Sequence, residues 1–380
     1  MAPKARRDRP KRSKDVQKIR FAVKPLFMSA ELHNRQLKTA ITVLVLGFSG
    51  CEPSSPNPST ATRVPSTRSV VVYCSVDEGF SRSVLDDFSR RTGIELSVIY
   101  DSEAGKTTGL VNRIIQEARS GRPRADVFWS SELFNTILLA RRGLLAPFDP
   151  PSAADIPQRF KDPMYRWTAL ASRARVLAYD PVRTSPELVP KTWQGIAAPK
   201  YANQVVIANP LFGTTRGHVA AMFALWGTDR ATGFLRGLRD HGVSIADGNS
   251  SAVRAVIAGR ASMAATDTDD VWVAQRGGAS LDLVYPDLGD GGTLLIPCSV
   301  ALVTGVHSES SEAARRLVDY LVSADVERML AQSDSRNIPV RNALLAELNM
   351  TRPPETKIGF DAIANAMDEA ASAVREILIR

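Results

Sequence analysis

From Val70 onward the chain alternates short apolar runs with amphipathic stretches, and this rhythm limits the folds open to it. "VVVYCS" reads as a buried strand, and "GFSRSVLDDFSRRTG" as an amphipathic helix stopped at Gly93. "IELSVIY" and "ADVFWS" are further strands, and "GLVNRIIQEARSG" and "ELFNTILLARRG" are the helices that follow them. The order βαβαβα predicts a mostly parallel sheet with helices on both faces. "ARVLAYDP" and "NQVVIANP" then start a second series, with a helix from Gly217 to Trp226 and further α/β units up to "LDLVYP". "CSVALVTG" is a late strand, followed by the helices "SEAARRLVDYLVS" and "ADVERMLAQ". The expected architecture is therefore two α/β lobes joined by extended crossings near 174–180 and 297–305, with a cleft between them. Lobe 1 takes 70–176 plus about 300–340, and lobe 2 takes 177–299 plus about 341–380. In such folds ligands sit outside the carboxyl ends of strands and at helix N-termini.

The formal charge of +8 suggests a nucleic-acid partner until it is located. Residues 1–50 hold 12 Lys/Arg against Asp8, Asp15 and Glu31. The 36 basic and 37 acidic residues that remain leave the rest of the chain near neutral, without the basic footprint nucleic acid needs. Residues 1–50 read as a basic leader and signal peptide. The apolar run from Ala40 to Phe48 suits a signal h-region and is too short to span a bilayer. Ser49 and Gly50 lead into Cys51, an arrangement that resembles a bacterial lipoprotein signal, with Phe48 where Leu is usual. Lipidation of Cys51 would place the protein in the periplasm or at the cell surface, anchored to the membrane. Met28 is an alternative start. Residues 51–69 are rich in Pro, Ser and Thr and form a tether unable to bury a core. Cys74 and Cys298 sit in strand-like runs, as a disulfide or as two buried thiols.

The polar turns after the strands carry the candidate chemistry. "EAGKTTG" resembles a phosphate-binding loop, but the glycine that motif requires is replaced by Tyr100, which excludes ATP hydrolysis while leaving Lys106 able to meet an anion. Gly213, Thr214 and Thr215 lie between a strand and a helix, where amides, hydroxyls and the helix dipole converge on an anion, or where a threonine caps the helix. Asn249 and Ser250 repeat this arrangement at the next helix. Asp77 follows the first strand, and Ser130, Ser131 and Glu132 follow the third. In "MAATDTDDVWVA", Thr266 with Asp269, or Asp267 with Asp270, fits a capping box at the start of a helix.

"ADVFW", "RRGLLAPF", "ALASRARVLAYD", "LFGTTRGHVAA" and "GNSSAVRAV", in that order and spacing, resemble the periplasmic solute-binding proteins of ABC importers, most closely the ferric-iron-binding branch of the type II fold. The likeness runs over about 70–341. It implies two lobes closing on a ligand and delivering it to a membrane permease and its ATPase, with the protein acting as a monomer. Ferric binders hold the metal with adjacent tyrosines, and here Asp269, Asp270 and Val271 fall at that place. A histidine position of some relatives matches Asp77, and a glutamate position falls at Ser131, beside Glu132. The family's anion site maps onto Gly213–Thr215 and Asn249. Two ligands fit the change to carboxylates. One is a hard cation, Fe³⁺ foremost, held by Asp77, Glu132, Asp267, Asp269 and Asp270 together with a synergistic anion. The other is an organic solute (a phosphorylated sugar, a phosphonate or a thiamine-like compound) with its anionic end on the threonines. A cluster of unpaired carboxylates would repel itself, which favours a cationic component. No catalytic cofactor is expected. Hydrolase, metalloprotease and C-x-x-C motifs are absent, which argues against an enzyme. A lipid-anchored sensor or scaffold on the same fold is the remaining possibility.

Overall fold

The computed structural model describes residues 69–101, 108–305 and 308–379. Contacts divide the chain into Met1–Arg63 and Val64–Arg380, and every described residue belongs to the second unit. The leader, Cys51 and Lys106 lie outside the described residues.

The elements follow in chain order as β1 (Val70–Cys74), α1 (Glu78–Thr92), β2 (Leu96–Tyr100), α2 (Thr108–Arg119), β3 (Val127–Ser130), α3 (Phe134–Arg141) and β4 (Leu145–Ala146). Next come β5 (Thr168–Tyr179), β6 (Val205–Ala208), α4 (Gly213–Trp226), α5 (Thr228–Asp240), β7 (Ser244–Ala246), α6 (Asn249–Ile257), β8 (Met263–Asp267) and α7 (Thr268–Arg276). The last are β9 (Asp282–Val284), β10 (Leu295–Val303), α8 (Ser308–Leu321), α9 (Ala324–Gln332), α10 (Asn342–Glu347) and α11 (Phe360–Ile377).

The strands follow the order β2-β1-β3-β10-β5-β8-β6-β7, with β4 beside β10 and β9 beside β5. The β1–β2, β1–β3, β6–β7 and β6–β8 pairs are parallel, and every pair made by β5 or β10 is antiparallel. The two sheets expected from sequence are thus joined into one hydrogen-bonded path by β5. Its first half, up to Ala174, pairs with β10, and its second half, from Arg175, pairs with β8. All twelve of its residues are buried. Two main apolar clusters flank this strand. One draws on 70–171 and 298–340 with Ala364, and the other on 177–238, 263–296 and the rest of 363–377 with Phe134. Each fully buried aliphatic or aromatic side chain in them contributes roughly 1.5–3 kcal/mol.

The β5–β10 register slips between Pro297 and Cys298, and Ala171 opposite adopts φ +39°. A buried ion pair holds this irregularity: Glu327 Oε1 accepts the amides of Ala171 (2.7 Å) and Val340 (2.8 Å), while Arg341 Nη1 donates to its Oε2 at 2.8 Å. Cys74 and Cys298 are free, buried thiols. α4 begins at Gly213 rather than Gly217, so Gly213–Thr215 form its first turn.

Candidate functional site

The carboxyl ends of β1, β3, β6, β7 and β8 open on one cavity of about 40 Å³, as do the N-termini of α4, α6 and α7. Among its lining residues are Asp77, Ser131, Arg173, Gly213, Thr214, Asp247, Asn249, Asp267, Asp269 and Asp270. Candidate residues far apart in the chain are therefore neighbours. A second cavity of about 380 Å³ shares Asp77, Asp269 and Asp270 and is otherwise faced largely by Phe80, Val253, Ile257, Val273 and Ala274.

Asp267, the last residue of β8, is 1% exposed. Its Oδ1 accepts from Arg175 Nη1 at 2.8 Å. Its Oδ2 accepts from Thr214 Oγ1 at 2.7 Å and Asn249 Nδ2 at 2.8 Å, with Arg173 Nε 3.4 Å away. Arg175 Nε lies 3.3 Å from His218 Nδ1, and burial together with Arg175 pushes the His218 pKa well below its ordinary value. That imidazole is neutral, so Nδ1 can accept.

Asp269 pairs with Arg173 Nη1 at 2.8 Å. Burial raises the Asp269 pKa; Arg173 opposes the rise and Asp267 adds to it. Burial alone would lower the Arg173 pKa, but Asp269 and Asp267 more than reverse this and hold it well above the ordinary range. Asp270 accepts from Ser250 Oγ at 3.0 Å and Thr266 Oγ1 at 3.1 Å. Oxygens of Asp267, Asp269 and Asp270 all lie within 4.8 Å of one another.

Several expectations need correction. The aspartate cluster is not unpaired, because Arg173 and Arg175 neutralise two of its members. Neither capping box forms. Asp267 stands at the N-cap of α7 without a side-chain cap bond, since its carboxylate is turned into the buried ion pair, and Thr266 reaches Asp270 instead of Asp269. A threonine cap on α4 is likewise absent: Phe212 is the N-cap, and the Thr214 hydroxyl is committed to Asp267. Thr215 is buried with no hydrogen-bond partner for its hydroxyl, and it does not line the cavity. Glu132 does not line it either. Its Oε2 accepts the amides of Phe134 (2.7 Å) and Asn135 (3.2 Å) at the head of α3, and burial raises its pKa. Ser250 reaches the small cavity only through Asp270 and faces the larger one.

Arg173, Arg175 and Asp247 were missed by the sequence reading. The signal for the two arginines was present in "SRAR". Charged residues two apart on one face of an apolar strand must find buried partners, because an unpaired buried charge costs far more than the strand can supply.

A mixed α/β sheet with a polar cavity at its strand ends defines a solute-binding architecture, and the chain belongs to the bacterial extracellular solute-binding protein family, whose profile matches residues 123–364. Its relatives are solute-binding proteins and not enzymes. It is 28% identical over 274 residues to the major ferric iron-binding protein of Neisseria meningitidis serogroup A, covering 70% of this chain and 79% of that one. It is also 27% identical over 191 residues to the Fe(3+)-binding periplasmic protein of Serratia marcescens, where the match spans about half of each chain (50% and 54%). Iron-bound HitA from Pseudomonas aeruginosa superposes with a TM-score of 0.71 at 24% identity, over 82% of this chain and 99% of that one. AfuA from Actinobacillus pleuropneumoniae, with exogenous fructose-6-phosphate bound, gives 0.69 at 18%, over 82% and 98%. These two likenesses show the shared fold.

Proposed function

We propose that this protein is the extracytoplasmic binding component of an ABC importer and that its cargo is a hard, oxygen-seeking cation, ferric iron foremost. The carrying observation is the three carboxylates of Asp267, Asp269 and Asp270, with oxygens within 4.8 Å, at a cavity of about 40 Å³. Asp77 and Asp247 bring the lining carboxylates to five, beside the guanidinium of Arg173. Carboxylate oxygens are the donors a hard trivalent cation prefers. The iron-binding relatives support the same reading.

Capture on the outer side of the membrane precedes delivery to a permease and its ATPase, with Cys51 as the lipid attachment point and the protein acting as a monomer. Cys51→Ser would release the protein from membranes, and continued membrane retention would defeat the anchor. For the cargo, native mass spectrometry and metal analysis of the purified full chain, before and after denaturation, are decisive. One metal per chain is expected, and a bound organic molecule without metal would reject it.

One observation favours a second reading. The 380 Å³ cavity joins an apolar wall to Asp77, Asp269 and Asp270, an arrangement suited to an organic solute with a cationic or hydroxyl-bearing head. The sugar phosphate bound by AfuA supports the possibility of organic cargo on this fold.

A further inference from the structure

We infer that Asp267 is a built-in replacement for the dissolved anion that the Thr214, Asn249 and Arg175 cradle would otherwise hold, so that cargo capture by this chain needs no free phosphate or carbonate. The inference rests on the metal reading for its consequence, but not for its geometry.

The cradle's side chains identify its occupant. The Thr214 hydroxyl and the Asn249 amide converge on a single oxygen of Asp267, at 2.7 and 2.8 Å, and Arg175 Nη1 takes the other at 2.8 Å. These are donors of the kind an oxyanion would recruit, two of them in the first turns of α4 and α6, where unpaired backbone amides and the helix dipoles add positive potential. Arg175 is fully buried, and its one ion pair among the described residues is with Asp267. A free anion entering the cradle would therefore have to displace a covalently attached carboxylate. The tethered group loses no translational freedom on binding, whereas a dissolved anion does. Asp267 lines the cavity of about 40 Å³ as well, so one carboxylate both fills the cradle and faces the cargo.

A salt bridge that only holds the fold together makes a different prediction, and inorganic phosphate separates the two. Metal-free full-length protein is titrated with phosphate, followed by calorimetry and by ³¹P line width. Wild type is expected to bind none at millimolar concentration. Asp267→Ser, which vacates the cradle and leaves Arg175, Thr214 and Asn249 in place, is expected to bind phosphate at least about tenfold more tightly than wild type. Wild-type binding as tight as the variant's would overturn the inference, as would a folded Asp267→Ser that takes up no phosphate. Should Asp267→Ser fail to fold, Asp267→Asn is refolded with phosphate or with chloride. Selective recovery in phosphate supports the inference, and equal or absent recovery overturns it. None of these arms contains a metal. Ferric-iron uptake by wild type is then measured with and without phosphate, and a requirement for phosphate would also overturn the inference. Failure of wild type to bind iron with or without phosphate would reject the metal reading alone and leave the phosphate result standing.

Discussion

Arg175 and Asp267 are directly opposed residues of the β5–β8 ladder, and their side chains meet at 2.8 Å with almost no exposure to solvent. The strand that links the two apolar clusters is thereby tied to the carboxylate at the centre of the site. Removing one partner leaves a buried charge without its counterion, at a cost of about 3–5 kcal/mol. Arg175→Met is expected to lose stability on that scale in urea denaturation. The double variant Arg175→Met/Asp267→Leu should regain only part of the loss, because the unpaired charge is gone while Thr214, Asn249 and His218 lose their partners. An Arg175→Met protein as stable as wild type would contradict this account.

Glu132 predicts a pH dependence. Burial raises its folded-state pKa above the ordinary 4.5. The folded protein therefore keeps this proton to higher pH than the unfolded chain does. The stability Glu132 contributes is full below about pH 4.5 and is lost as pH rises through the folded value. Glu132→Gln carries no such term, so denaturation midpoints of wild type and variant should diverge as pH increases from 4.5, with wild type losing ground. Glu132→Ala removes the acceptor of the α3 amides and should cost about 1 kcal/mol below pH 4.5, the difference from wild type shrinking as pH rises. Cargo affinity should be unchanged in both, and a lost site would be evidence that Glu132 reaches the ligand.

The cysteines make a chemical prediction. Burial raises the Cys74 pKa to about 12 and that of Cys298 to about 11, so neither thiolate is populated at neutral pH. A thiol reagent added to native protein should label neither residue, and both should react after guanidinium unfolding. Mass spectrometry of peptides assigns the labels separately from Cys51. A native disulfide between them would appear as two cysteines labelled only after reduction.

Gly217 lies on α4 where the ring of Phe134 packs, and a β-carbon there would collide with that ring. Gly217→Ala gains about 1 kcal/mol in helix propensity. Overpacking costs typically 1–3 kcal/mol, so the collision wins and thermal stability should fall. Because the same helix carries Thr214, cargo affinity should weaken along with stability. A more stable Gly217→Ala would show that Phe134 swings aside without cost.

Local patterns told a reader of the sequence where chemistry would gather, but not how it would be paired. The βα rhythm placed Asp77, Gly213–Thr215, Asn249, Asp267, Asp269 and Asp270 at strand ends, because hydrophobic period and turn residues are local signals, and all but Thr215 line the cavity. The partners were not legible, since Arg175 meets Asp267 only through a strand pairing that joins residues 92 positions apart. The same gap explains the failed capping boxes. A local match predicts a helix cap worth about 1 kcal/mol, but a buried guanidinium claims the carboxylate more strongly. Glu132 shows the reverse case: a residue read as a ligand is held by the amides of its own helix.

The path of β5 has a consequence for how such a site is inherited. Neither main apolar cluster is a continuous piece of chain, since the first resumes at 298 after the second has run from 177 to 296. A single genetic crossover between 177 and 296 would therefore cut through both. A double exchange bounded near 176 and 297 would carry Thr214, Asn249, Asp247 and the three aspartates as one cassette, but would leave Arg173 and Arg175 behind in the recipient. A recipient lacking those arginines would acquire acids without counterions. The aspartates and "SRAR" are one electrostatic unit on either side of residue 176, so an exchange bounded there separates the acids from their counterions.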